Sequence, residues 1–257
     1  MWLPGDHHRH RGLRGDGGRR GSHRAAALHG DLGKAAVRAR VRVVAVDRHS
    51  ETIARSRSAA DRIDVARAAL IVYDACRRAL TPVDPVRRVA MRPVLDAWVT
   101  LIGACRAKAM PIIYTTPVSR ADGADVVLLP TDLSVQTGVP SLTNCIEGTP
   151  EAGFPEEIAP RPQDYVFLKR RPSAFYGTGV AELLRRLRRT ALVIGGGATN
   201  RGVETSVREA FSMDLDTVVV RECCWGGDAA AHAYSLDTSM KMYARVRTLP
   251  QALAMLT

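Results

Sequence analysis

Three features of the 257-residue sequence could do chemistry together: an acid, a lysine and a glycine-rich turn. Asp74 and Lys169 each end an apolar run, and residues 195–202, with the sequence GGGATNRG, follow a third run. A carboxyl group can donate or accept a proton, and an ammonium group can hold an anion. The unpaired backbone N–H groups of a turn that opens a helix can stabilise developing negative charge. Together these groups are typical of a hydrolytic site.

The elements that would position these groups follow from the spacing of apolar residues. Aliphatic and β-branched runs predict buried strands at 68–73, 111–115, 165–168, 190–194 and 217–220, and an edge strand at 244–246. Helical spacing predicts helices at 86–108, 179–189 and 228–243, and a further one that follows a cap at Thr199 or Asn200. Because strands alternate with helices, we expect an α/β fold with a mostly parallel sheet covered on both faces.

The acid, the lysine and the turn all fall at one edge of this predicted sheet. Ligands of such sheets bind outside the carboxyl ends of the strands. Three glycines in a row are expected to end the strand at residue 194 and to start the turn. An acid, a cationic partner and backbone donors at one rim favour a hydrolytic site over a binding-only surface. The alternative is that the two strand-end charges merely face water.

Composition limits the classes of protein. The length fits one sizeable α/β domain or two small ones, and no apolar run approaches the ~20 residues of a membrane span. The cysteines are odd in number, lie outside any CxxC spacing and follow no secretory leader: they are residues 76, 105, 145, 223 and 224. We therefore expect a cytoplasmic protein with reduced thiols.

The net charge of +11 is concentrated at the N-terminus. Residues 1–48 hold eleven Lys and Arg against four Asp and Glu, so this segment carries +7 of that charge and nucleic-acid binding by the domain is not expected. The segment is rich in Gly, Arg and His and is predicted to be a basic, disordered extension, with a short strand at 38–46. It is either a flexible arm or upstream sequence translated from a misplaced start. Its histidines lack acidic or cysteine partners at a defined spacing, which argues against a specific metal site.

Three stretches resemble the isochorismatase-like hydrolases, often called the cysteine hydrolase family. They are ALIVYDACRRAL, EGTPEAGFPEEIAPRPQDYVFLKRRPSAFYGT, and LVIGGGATNRGVETSVREAF followed by VVVRECC. The resemblance covers roughly residues 64–247 and places a hydrolase domain at residues 60–250. It implies a three-layer α/β/α sandwich with a mostly parallel, Rossmann-like central sheet. It also implies a homodimer or homotetramer that acts on a small molecule.

The resemblance assigns roles to single residues. Asp74 matches the family's catalytic acid, and Lys169 matches its lysine. Gly197 and Ala198 match a non-proline cis peptide, and the implied oxyanion hole is formed by the backbone N–H groups of Ala198 and Gly202. The two candidate arginines suit bidentate binding of carboxylates, and the alternative for each is a solvated surface residue. All the candidate substrate-binding side chains lie on or near these motifs: Thr199, Asn200, Arg201, Arg120 and Phe175.

The sequence departs from the family at the nucleophile. The family pattern T-x-x-C-V carries the catalytic cysteine, whereas this chain has Gly202 in that place. Without a thiol there is no acyl-enzyme, and Cys223 and Cys224, one strand later, are expected to be core residues. The true isochorismatases of this family, which cleave vinyl ethers, also resemble this chain in having glycine there. Their chemistry implies an acid with a proton to give, a cation, and room where the thiol would be.

Two functions remain open from the sequence. The first is a hydrolase without a cysteine nucleophile that acts on a small, anionic, carboxylated substrate, with cleavage of a vinyl ether favoured. The second is an inactive family member that binds a ligand or a partner. A nucleotide loop fails on spacing, because Asn200 stands where a dinucleotide fingerprint needs Gly or Ala. We expect no cofactor and no metal, since TTPVSRADGADV lacks the histidine of the family's metal-binding branch.

Overall fold

The computed structural model of the chain describes residues 62–257. The expectations for residues 1–48, including the strand at 38–46 and the histidines, lie outside the described residues.

The described chain is built on one parallel sheet of seven strands. The strands are β1 (Ala68–Tyr73), β2 (Ile112–Ser119), β3 (Cys145–Ile146), β4 (Tyr165–Lys169), β5 (Ala191–Gly197), β6 (Asp216–Trp225) and β7 (Arg245–Arg247). Strand β1 is central: it pairs with β2 on one side and with β5 on the other. Beyond β2 lie β3 and β4, which pair with different parts of it, and beyond β5 lie β6 and β7.

The sheet is covered on both faces, because successive side chains of each strand enter different layers. In β1, Leu70 and Val72 join one apolar cluster, whereas Ala69, Ile71 and Tyr73 join the other. All six residues of β1 are buried. An uninterrupted apolar run is thus explained by two covering layers.

Seven α-helices supply the covering layers of the described chain. They are α1 (Arg77–Leu80), α2 (Pro85–Ala107), α3 (Asp132–Thr137), α4 (Val180–Arg186), α5 (Glu204–Ser212), α6 (Ala229–Tyr234) and α7 (Leu249–Met255). Helices α2 and α7 pack on one face through Trp98 and Ala252, and α4 and α5 pack on the other through Leu184 and Val207. This three-layer arrangement confirms the predicted α/β/α fold. Between residues 62 and 257, no helix is long and apolar enough to cross a bilayer.

The three glycines after Ile194 do not end their strand, so that prediction was wrong. Strand β5 continues to Gly197, with a shift of register between Ile194 and Gly196. At Gly196, where φ is +145°, an added Cβ would lie 2.1 Å from the carbonyl oxygen of Tyr73. The glycines therefore allow β5 to run close to its neighbours rather than to turn away.

Other boundaries differ from the sequence prediction. The last predicted helix is broken into α6, a π-helical turn at Ser235–Ser239 and a 3-10 turn at Met240–Met242. Helix α7 was not predicted. Residues 116–163, for which the sequence analysis predicts no element, contain the end of β2, α3, β3 and two 3-10 turns.

Candidate active site

Asp74 stands at the carboxyl end of β1 on a left-handed step of the backbone, with φ of +53°. Aspartate is among the residues that tolerate this conformation. The hydroxyl of Thr115, on β2, donates to Asp74 Oδ1 at 2.9 Å, and the backbone N–H of Asp74 donates to the Thr115 carbonyl at 3.1 Å. Asp74 is only 6% exposed, so β1 and β2 together hold its carboxylate inside the protein.

Lys169 is the last residue of β4 and reaches the same point. Its Nζ lies 2.8 Å from Asp74 Oδ2 and donates to the Arg171 carbonyl at 3.2 Å. It also stands 4.6 Å from the centre of the Tyr73 ring, within the range of a cation–π contact. The structure therefore brings the predicted acid and lysine into a buried ion pair. Their catalytic roles stay predictions.

The surroundings of the pair act on the protonation of the acid. Burial raises the pKa of Asp74 above its usual range, while the Lys169 ammonium and hydrogen bonds from Thr115 and Tyr73 lower it in part. The net direction is upward, so the carboxyl group holds its proton to a higher pH than an exposed aspartate does. Such a shift suits a general acid.

The glycine-rich segment faces this pair from β5. A cis peptide joins Gly197 and Ala198, at the position that the family resemblance implied. A wide π-helical turn, Thr199–Val203, then leads into α5. The Ser206 hydroxyl donates to the Gly202 carbonyl at 2.7 Å and accepts from the Ala174 N–H at 2.9 Å, so it ties the turn to the segment after β4. The oxyanion role of the Ala198 and Gly202 N–H groups stays a prediction.

The space beside Gly202 is filled, contrary to the expectation of room for a substrate. A Cβ added at Gly202 would lie 1.7 Å from the hydroxyl oxygen of Tyr73. The Tyr73 hydroxyl donates a hydrogen bond to the carbonyl of Pro172. Sequence reasoning treated Tyr73 only as a strand residue. The sequence feature that could have pointed to Tyr73 was its place at the end of an aliphatic run, directly before Asp74.

Two of the predicted substrate ligands are already engaged within the protein. Thr199 is buried; its hydroxyl donates to the Trp225 carbonyl at 2.7 Å and lies 2.8 Å from Nδ1 of His232. With one hydrogen to give, that hydroxyl has little left for a substrate. Phe175 is buried in the same apolar cluster as Tyr73. Their substrate-binding roles stay predictions.

The two candidate arginines lie at the surface. Arg120 follows β2 and pairs with Asp122 on the same loop, with Nε 2.9 Å from Asp122 Oδ1. Arg201 is exposed on the π-helical turn, where Asn200 is half-buried. No ion pair joins Arg201 to another residue of the described range.

Arg171 and Pro172, which follow β4, contact Lys169 and Tyr73 at the centre of the site. The consecutive carbonyls of Arg171 and Pro172 accept from Lys169 and Tyr73. Arg170 anchors this segment to the residues between β2 and β4. Its guanidinium lies 2.6 Å from a carboxylate oxygen of Asp125 and 2.6 Å from one of Glu147. The site is therefore enclosed by a segment that salt bridges hold in place.

The family model described as Isochorismatase domain matches residues 68–251, a span that holds Asp74, Lys169 and the whole glycine-rich turn. The chain belongs to the isochorismatase family. The maleamate amidohydrolase of Pseudomonas putida is 26% identical over 192 residues, which cover 73% of this chain and 86% of that protein. The phenazine biosynthesis protein PhzD1 of Pseudomonas aeruginosa is 31% identical over 98 residues, or 38% of this chain and 47% of the relative.

Solved structures of the isochorismatase family share the fold. An isochorismatase family protein from Burkholderia thailandensis superimposes with a TM-score of 0.63 at 27% identity, over 74% of this chain and 96% of that one. Since this family consists of hydrolases, the chain is a hydrolase of the isochorismatase family.

The cysteines of this family member are buried and stand apart from Gly202 in sequence. Cys224 lies on β6, where burial raises the pKa of its thiol to about 12. Cys76 and Cys145 lie in one small apolar cluster, and a hydrogen bond from Cys76 lowers the pKa of Cys145 to about 7. Within residues 62–257, no group of three or more His, Cys, Asp and Glu side chains is arranged to hold a metal ion.

Proposed function

We propose that this hydrolase acts without a cysteine nucleophile on a small, anionic, carboxylated substrate, and that cleavage of a vinyl ether is its reaction. Asp74 is the general acid in this proposal, and Lys169 is its cationic partner. The observation that carries the proposal is the buried contact of 2.8 Å between Lys169 Nζ and an Asp74 carboxyl whose pKa is raised.

The reaction balances with one acid and one water molecule. The Asp74 carboxyl gives its proton to the terminal carbon of the vinyl group, which leaves an oxocarbenium ion and a carboxylate. Water adds to the oxocarbenium carbon and returns a proton to Asp74. The resulting hemiketal collapses to pyruvate and an alcohol. Lys169 stabilises the carboxylate during the interval in which Asp74 has lost its proton.

Amide hydrolysis is supported by the likeness to a maleamate amidohydrolase, but it lacks a covalent route here. Gly202 offers no thiol, and the Cys224 thiol is buried with its pKa raised to about 12. An amide would have to be attacked by water directly, without an acyl-enzyme. Vinyl-ether cleavage needs only the acid, which this chain retains.

A second candidate is a family member that binds a ligand without turnover. The glycine at position 202 is equally compatible with it. For either function, entry of a small molecule requires movement of the segment around Arg171 and Pro172, whose carbonyls accept hydrogen bonds from Lys169 and Tyr73.

The two functions are separated by a direct assay. The full-length chain is mixed with isochorismate, and pyruvate is followed through lactate dehydrogenase and NADH. The enzyme predicts steady pyruvate release that Asp74→Asn lowers by about 10²–10⁴-fold. The matched control is Asp96→Asn, which changes an exposed carboxylate on α2 that pairs with Arg92. Undiminished turnover by Asp74→Asn would overturn the assignment of the acid, and no turnover with tight ligand binding would favour the second function.

The family resemblance also leads us to propose a homodimer or homotetramer. Size-exclusion chromatography with light scattering measures the mass directly, and a single species at the mass of one chain would contradict this expectation.

A further inference from the structure

Position 202 cannot hold a side chain as long as Tyr73 is in place. An added Cβ would lie 1.7 Å from the Tyr73 hydroxyl oxygen, 2.4 Å from Cζ and 2.8 Å from Cε1. All three distances are below 3.0 Å, which real Cβ atoms essentially never show. A cysteine at this position would therefore displace the end of the ring.

The ring has little freedom to move aside. Tyr73 is 1% exposed, and its backbone lies between Thr115 of β2 and Gly196 of β5 in the sheet. Its hydroxyl is bonded to the Pro172 carbonyl, and the Lys169 ammonium stands 4.6 Å from its ring centre. Contacts at the backbone, the ring and the hydroxyl thus fix the phenol beside Gly202.

The hydroxyl is also next to the acid. Lys169 Nζ lies 2.8 Å from Asp74 Oδ2 and 4.6 Å from the centre of the Tyr73 ring, so the phenol and the carboxylate lie beside the same ammonium group. In this arrangement the Tyr73 hydroxyl donates to the Pro172 carbonyl. Burial, and then the nearby Asp74 charge, raise the pKa of Tyr73 well above its usual value. A phenol in this setting keeps its hydrogen and acts as a donor, not as a nucleophile.

We infer that Tyr73 determines the reaction class of this site. Its ring closes position 202 to any nucleophilic side chain, and its hydroxyl is the donor that turns from Pro172 to the Asp74 carboxylate once the acid has given up its proton. Tyr73 is thus a positioning residue. Acyl-enzyme chemistry is excluded at two positions, because Gly202 carries no thiol and Tyr73 leaves no space for one. The part that concerns Asp74 rests on the proposed function; the part that concerns Gly202 does not.

The Gly202 part is tested by a double-mutant cycle read by thermal unfolding. In the wild-type background, Gly202→Ala is expected to lower the Tm by roughly 4–10 °C, because overpacking a buried site forces its neighbours apart. In a Tyr73→Val background the same change is expected to lower the Tm by less than about 2 °C, because the ring is gone. Equal losses in the two backgrounds would overturn the inference.

Failure of Gly202→Ala to fold still gives an answer. In that case Tyr73→Val/Gly202→Ala is expected to return to the soluble fraction at the level of Tyr73→Val alone. Tyr73→Val/Gly202→Cys is expected to be soluble at the same level, since the missing ring leaves room for the new thiol. A double variant as insoluble as Gly202→Ala would contradict the fit between the two positions.

The Asp74 part is tested with Tyr73→Phe, which keeps the ring and removes the donor. Loss of a hydrogen bond to the carboxylate raises the pKa of Asp74, so the alkaline fall of kcat/KM is expected to move to higher pH while kcat drops about 10-fold. A ring that only fills space would leave both unchanged, and that result would overturn the donor role. If the wild type releases no pyruvate, the proposed function fails while the unfolding cycle still decides the Gly202 part.

Discussion

Removal of the Lys169 ammonium tests the buried pair most directly. Lys169→Met keeps an unbranched chain of similar length and leaves Asp74 without its cation. The two side chains are 2% and 7% exposed, and Nζ lies 2.8 Å from Oδ2, so water screens the pair poorly. Breaking a buried pair by removing one partner costs about 3–5 kcal/mol. For a domain of this size, that is a fall in Tm of roughly 6–20 °C at neutral pH.

The loss of stability in Lys169→Met is expected to depend on pH in one direction. Without the ammonium group, burial holds the pKa of Asp74 further above its unfolded value of about 3.9. A raised folded pKa means that stability is complete below the unfolded pKa and is lost as pH rises through the folded pKa. The loss of stability relative to the wild type should therefore be smaller at pH 5 than at pH 8.

Urea unfolding followed by circular dichroism at pH 5 and pH 8 measures both values. Asp74→Asn/Lys169→Met is the control, because it removes both charges and should recover much of the stability that Lys169→Met loses at pH 8. A penalty of the same size at both pH values would refute the reasoning. So would a double variant as unstable as Lys169→Met alone.

Three further outcomes follow from the same site. Thr115→Val removes the donor to Asp74 Oδ1 and should lower the free energy of unfolding by about 1–2 kcal/mol and kcat about 10-fold. The control, Thr100→Val on the surface of α2, should change neither quantity, and equal effects of the two variants would contradict the role of Thr115. Because the protonated form of Asp74 is the active one, kcat/KM should be level at low pH and fall tenfold per unit above its pKa, and a profile that rises with pH would be inconsistent with a general acid. Iodoacetamide should leave activity within about twofold, because all five thiols are buried; loss of activity in step with alkylation would show that a thiol takes part.

The position of the site could be predicted because strand ends are visible in the sequence. Asp74 and Lys169 each close an apolar run, and the rule that parallel strands gather their ends at one edge was sufficient to bring them together. The contact of 2.8 Å between them agrees with that reasoning. The alternation of strands and helices likewise predicted the covered sheet.

Features that depend on fit between distant segments could not be predicted. The three glycines after Ile194 were expected to turn, but they stay in β5 because its neighbours approach too closely for a Cβ. The overlap of Tyr73 with a side chain at Gly202 joins residues that are 129 positions apart in the chain. Thr199 has the type of a substrate ligand, yet its hydroxyl bonds to the protein itself. Residue type and spacing carry no record of such packing.

The left-handed step at Asp74 limits how this acid can be studied. A regular strand sends neighbouring side chains to opposite layers, whereas Asp74, directly after β1, departs from strand geometry with a φ of +53°. Alanine or a β-branched residue would strain that torsion as well as remove the charge. Asparagine accepts the same torsion and nearly the same shape. Asparagine therefore removes the charge of the side chain and keeps the backbone geometry at the end of β1.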